Sequence, residues 1–91
     1  MIIGSAVRDR GSGEVYWLPR PARHHSVIHS LVKLRRWQTA RNGEQGFVTE
    51  SGEFLDRRRG MLHAIQFEQL LNPPELGRLG NGEILYSEDL W

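Results

Sequence analysis

The chain of 91 residues contains no cysteine, which removes disulfide frameworks, thiolate nucleophiles and Cys-type zinc sites together. It also lacks any long apolar run. The opening MIIGSAVRDR has no charged leader, and its apolar stretch is too short for a signal peptide or a membrane span. The expectation is a cytoplasmic protein that does not engage a membrane. There is no HExxH pair, and Gly11-Ser12-Gly13 is too short, and lacks the lysine, for a phosphate-cradling P-loop. Acidic residues are missing throughout the stretch between Glu14 and Glu44. Every formal charge there is positive: Arg20, Arg23, Lys33, Arg35, Arg36 and Arg41, joined by His24, His25 and His29. From Glu75 onward the balance reverses, with Glu75, Glu83, Glu88 and Asp89 against Arg78. A net charge of +1 does not describe a nucleic-acid coat, but this asymmetry suits a polarised surface that meets an anion or a second subunit.

What is present is organised around LPRPARHHSVIHSLVKLRRW, Leu18 to Trp37. It reads as a basic helix from about Ala22 to Trp37, with Pro21 in its first turn and an apolar stripe of Val27, Ile28, Leu31 and Leu34. A helix start carries roughly half a unit of positive charge from its unpaired N–H groups. Arg20, Arg23, His24 and His25 therefore sit where cations are disfavoured, and an anion such as phosphate or carboxylate is the natural missing partner. The competing reading is a solvated basic face with His24 or His25 packed into the core.

The remaining elements read in order. Ile2 to Val7 and Glu14 to Leu18 form strands about a turn at Arg10 to Gly13. The second strand is apolar on both faces, which places it in the middle of a sheet. Arg41-Asn42-Gly43 ends the first helix, with Asn42 or Gly43 in the left-handed cap conformation. Phe47 to Thr49 and Phe54-Leu55 make a hairpin about Glu50 to Glu53, and Asp56 caps a second helix running to about Leu71. Gly60 within that helix implies a close backbone approach. Asn72-Pro73-Pro74 stops the helix, a turn-rich link follows over Glu75 to Gly82, and Glu83 to Ser87 reads as a final strand whose tail, Leu90-Trp91, docks. The sum is one α+β domain over residues 1–91, ordered β-β-α-β-β-α-β, with a small antiparallel sheet and two helices packed on one face. A domain this small buries only about 60–65% of its unfolded surface, so a homo-oligomer is expected.

Three segments, WLPRPARHHSVI, GEQGFVTESGEFLDRR and LYSEDLW, resemble those of a group of small phage-encoded proteins. That group shares an RHH segment, a GFxTxxGxFxxR hairpin, a helix ending in Gly-Gln and a closing SEDLW. Here Gly60 stands where a small residue such as Ala is usual, and Glu68-Gln69 where Gly-Gln is usual. The resemblance implies a phage origin, hence the host cytoplasm, and tilts the function toward countering host defence by sequestering a nucleotide signal.

Four functions compete. Metal binding could draw on His24, His25, His29 and His63 with Glu88 and Asp89; His25 and His29, one turn apart, could share an ion whereas the adjacent His24 and His25 could not easily, and no HExxH or comparable pattern supports it. Acid–base catalysis by His24 or His25 with Glu88 or Asp89 lacks a nucleophile. Arg35, Arg36 and Arg41 beside Trp37 suit a single-stranded nucleic acid, which ranks lower because the chain as a whole is nearly neutral. The preferred reading is a binding protein, not an enzyme and without cofactor or metal, for a phosphorylated or nucleotide-like ligand. Arg20, Arg23, His24, His25 and Arg57 supply donors and charge, Phe47 or Trp91 stacks on a base, and Gln45, Ser87, Glu88 and Asp89 read polar edges. The rival class is an inhibitor that binds a host defence enzyme directly.

Overall fold

A computed structural model describes residues 1–71 and 84–91. Among them the order is β1 (Ile2–Arg8), β2 (Val15–Pro19), α1 (His24–Lys33), α2 (Trp37–Asn42), β3 (Glu44–Thr49), β4 (Phe54–Asp56) and α3 (Arg57–Gln66), then a 3-10 turn at Ser87–Asp89. The strands lie β2-β1-β3-β4, each pair antiparallel. The α+β class expected from the sequence is the one that forms.

Register explains the layering, because residues directly opposite one another share a face. Ser5 faces Leu18 and Phe47, Phe47 faces Leu55, and Val7 faces Tyr16 and Gln45. This is the helix side. Val27 and Leu31 of α1 pack on Val7, with Tyr16, Leu18, Ile28 and Ala40 at the margin. Met61 and Ala64 of α3 pack with Ile2, Phe47, Leu55, Leu85 and Leu90. Burying a side chain such as Phe47 or Leu85 completely, as here, contributes roughly 1.5–3 kcal/mol. Gly60 allows α3 to come this close: a Cβ there would sit 3.0 Å from Phe47 and 3.3 Å from Leu85.

The opposite face is built from small residues under two aromatic rings. A Cβ on Gly4 would fall 2.5 Å from the Trp17 ring, and one on Gly46 2.5 Å from Phe54. Arg8 lies 4.5 Å over the Phe54 ring and pairs with Glu44. This arrangement corrects the central placement of β2. It is an edge strand, apolar on both sides because α1 covers Tyr16 and Leu18 while Trp17 folds over Gly4.

Three further boundaries differ from the sequence reading. The first helix stops at Lys33, because Arg35 takes the left-handed conformation (φ 61°) and Arg36 N–H returns to the Leu31 carbonyl. Leu34, apparently the next rung of the stripe, is 63% exposed, and the chain restarts as α2. Gly43 is extended, so neither Asn42 nor Gly43 forms the left-handed cap. Second, α3 ends at Gln66 instead of Leu71, with Glu68 left-handed (φ 51°) and Gln69 N–H bonded to the Ala64 carbonyl. Third, Ile84 to Tyr86 is not a strand: Leu85 N–H bonds to the Arg57 carbonyl and its side chain plugs the core beside Phe47. Glu83, the stop at Asn72 to Pro74 and the link over Glu75 to Gly82 lie outside the described residues.

The end of α3 gives the Gly-Gln pattern a physical meaning. The left-handed position is filled by Glu68, and the following Gln69 side chain accepts from Ile2 N–H (2.8 Å) and donates to the Ile2 carbonyl (2.6 Å). Glu68→Gly is expected to stabilise the protein by about 1 kcal/mol, since a non-glycine residue there costs roughly 1–2 kcal/mol. Gln69→Ala should destabilise it by about 1–3 kcal/mol by stranding both Ile2 groups. Urea unfolding of the two variants checks the opposed signs; two changes of the same sign would refute this account of the pair.

Candidate functional site

The first histidine of α1 turns inward. His24 is 7% exposed, sits edge-on to Phe47 with ring centroids 4.9 Å apart, and places Nε2 2.7 Å from the Gly46 carbonyl. A carbonyl only accepts, so Nε2 carries the proton and the neutral ring keeps its lone pair on Nδ1. Burial pushes the His24 pKa below its ordinary value, as does the nearby Arg57 charge; the Gly46 bond and Glu88 oppose the shift. His25 and His29 are exposed.

The segment over 84–91 closes over this histidine. Trp91 Nε1 donates to the Ala22 carbonyl (2.9 Å), which also accepts from Ser5 Oγ (2.9 Å). In return the Arg23 guanidinium donates to the main-chain oxygen of Trp91 (2.7 Å). Asp89 accepts from Tyr86 N–H (3.0 Å), shaping the 3-10 turn, and Leu71 N–H reaches the Asp89 carbonyl (2.9 Å). Ser87 is buried, with Oγ 3.5 Å from the exposed Glu88 carboxylate. Docking of the tail therefore matches the sequence reading.

The second basic helix start is arranged differently. Asp56 caps α3 by accepting from Arg59 N–H (2.8 Å), as its position in the sequence implies. Arg57 is half-buried: it donates to Gln45 Oε1, lies 4.9 Å over the Tyr86 ring, and keeps a buried Nε with no hydrogen-bond partner among the described residues. The neighbouring acids are already engaged, Glu44 by Arg8, Glu53 by Arg59 and Asp56 by the helix N–H. A hollow of about 380 Å³ opens beside Arg57, lined also by Arg10, Arg58, Glu44, Gln45, Asp56, Gly43 and Ile84. Three arginines thus line one cleft, and among the described residues none is paired with a carboxylate.

Sequence reasoning and geometry agree on a neighbourhood and differ on its centre. Arg23, His24, Gln45, Phe47, Arg57, Ser87, Glu88 and Trp91 are joined by the contacts above. Two assigned roles are corrected. Phe47 is fully buried in the core and offers no face to a base, and the Trp91 indole is held against Ala22. The start of α1 is also not an open anion seat, because the His24 ring is turned into the core and Arg23 holds Trp91. Arg20 stands in the exposed turn before α1, its N–H bonded to Ile3. Arg10, Arg58 and Tyr86 were missed; the triple arginine after Asp56 was the available signal, but Arg10 joins the cleft only through the β1–β2 turn. Among the described residues no three His, Asp or Glu side chains are grouped to hold a metal ion.

The His24 environment sets a pH dependence. A folded-state pKa below the unfolded 6.5 means that the unfolded chain binds more protons, so stability is complete above that pH and falls as pH drops below it. His63, buried at Nε2 and stacked on Phe67, shifts in the same direction, with desolvation first among its causes. His24→Gln, which keeps an N–H for Gly46, should flatten the acid slope to the part due to His63. Urea melts at a series of pH values check this, and an unchanged slope would remove His24 as its source.

No helix among the described residues is long and apolar enough to cross a membrane. No curated protein and no solved structure matches the chain. A family model described as phage T4 y16D protein matches it over residues 1–91; the chain belongs to this family of phage proteins.

Proposed function

We propose that the protein binds a phosphorylated, nucleotide-like small molecule in the cleft where Arg10, Arg57 and Arg58 converge. The observation that carries this reading is Arg57. A half-buried guanidinium with a buried, unpartnered Nε and no carboxylate partner among the described residues is under-satisfied, and a phosphate group in the cleft supplies the counter-charge it lacks. Gln45 and the Tyr86 ring hold the guanidinium in one orientation. His24, Arg23 and Trp91 keep the frame behind it, and Glu88 with Ser87 stands at the adjoining turn.

The cleft lining contains no hydroxyl or thiol nucleophile, and His24 Nε2 is committed to Gly46. The reading is therefore one of binding without turnover. In a phage family such a binder fits sequestration of a host nucleotide, and a counter-defence role is the biological form of the proposal.

Thermal denaturation with phosphate, pyrophosphate, nucleoside monophosphates and triphosphates, and neutral nucleosides as controls tests it. At a hundredfold excess over Kd a ligand adds about 2.7 kcal/mol, which for a domain of this size raises Tm by roughly 10 °C or more. The expected result is stabilisation by at least one phosphorylated probe and not by its nucleoside. It should be lost in Arg57→Gln, whose own Tm stays within a few degrees of the parent. Stabilisation that survives Arg57→Gln, or none by any anion, would overturn the reading.

A further inference from the structure

The anion cleft does not end at Arg10. A second hollow, about 260 Å³, is lined by Asp9, Arg10, Gln38, Asn42, Thr39 and the glycines 11 and 43. Arg10 and Gly43 belong to both hollows. Arg10 is fixed at this junction by donating from Nε to the Asn42 carbonyl (2.8 Å), which leaves its terminal nitrogens for the groove. The far wall is α2. Its Gln38 and Asn42 side chains are hydrogen-bonded to each other (2.9 Å) one turn apart, and on the adjacent face Trp37 and Arg41 are likewise one turn apart. Trp37 is 61% exposed, and Lys33, Arg35, Arg36 and Arg41 around it are all exposed cations.

We infer that the two hollows and the α2 corner form one track for a single-stranded nucleic acid, with Arg57, Arg58 and Arg10 on successive phosphates and Trp37 under a base. The inference rests on the Arg57 reading above and names the ligand class more closely. Its chemistry is that of sequence-tolerant single-strand binding, a line of guanidiniums beside an exposed aromatic platform. Three acids also line the track, each with a partner inside the protein: Asp9 accepts from Gly11 N–H and Ser12 Oγ, Glu44 is paired with Arg8, and Asp56 caps α3. A lipid surface is a poorer fit, because Val27 and Leu31 of α1 are turned to the core.

Fluorescence anisotropy with a short fluorescein-labelled oligothymidylate, run beside calorimetry with thymidine monophosphate, tests this. The oligonucleotide should bind at least tenfold more tightly than the mononucleotide, with a log–log salt slope of about −2 for three phosphate contacts. Trp37→Ala should weaken the oligonucleotide by roughly 5- to 150-fold and leave the mononucleotide unchanged, whereas Arg57→Gln should weaken both. Equal affinity of the two probes overturns the track and leaves the cleft standing. Oligonucleotide binding that is insensitive to Trp37→Ala also overturns the track, as does binding of phosphatidylserine vesicles in place of the oligonucleotide. Oligonucleotide binding that is lost in Trp37→Ala but unaffected by Arg57→Gln overturns the shared cleft.

Discussion

The bond from His24 Nε2–H to the Gly46 carbonyl joins the two halves of this small core. One half is α1 on β1 and β2, gathered about Val7, Val27 and Leu31; the other is α3 on β3 and β4, gathered about Phe47. His24 belongs to the first by its helix and to the second by its ring, which lies against Phe47. On the other face of the sheet, position 46 has no room for a side chain: a Cβ there would lie 2.2 Å from the Leu55 carbonyl and 2.5 Å from the Phe54 ring. Ser5 and Trp91 then converge on the Ala22 carbonyl, just before the helix begins, so the start of α1 is held from the sheet and from the 84–91 segment at once.

Two basic helix starts with similar composition therefore do opposite things. At α1 the cationic groups have internal acceptors, a carbonyl for His24 and a main-chain oxygen for Arg23, and the buried ring is neutral. At α3 the guanidinium of Arg57 finds a single amide oxygen and an aromatic face, and leaves Nε without an acceptor among the described residues. Burial without satisfaction is the physical difference between the two.

Much of the fold was legible because its signals are local. The hairpin about Gly52, the Asp56 cap and the close approach at Gly60 each follow from the residue at the position concerned. What escaped was decided by residues acting against type. Arg35 and Glu68 take left-handed conformations that composition assigns to glycine or asparagine, so both helices were read too long. Ile84 to Tyr86 alternates like a strand, yet Leu85 is needed under α3. Of the candidate site, the basic residues at the two helix starts were legible from the sequence. Which of their charges is answered was not, because that depends on partners such as Gln45 and Tyr86, distant in sequence and brought in by the sheet and the tail.

The place of β1 in the sheet bears on how the molecule folds. The first strand in chain order is a central one, and its Ile2 shares a cluster with Leu85 and Leu90. Hairpin β1–β2 closes over a short loop, but the pairing of β1 with β3 and the covering of Phe47 by Leu85 and Leu90 join residues some 36 to 47 positions apart, and such distant contacts slow folding. The apolar side of the sheet is therefore completed only when segments distant in sequence have closed over it.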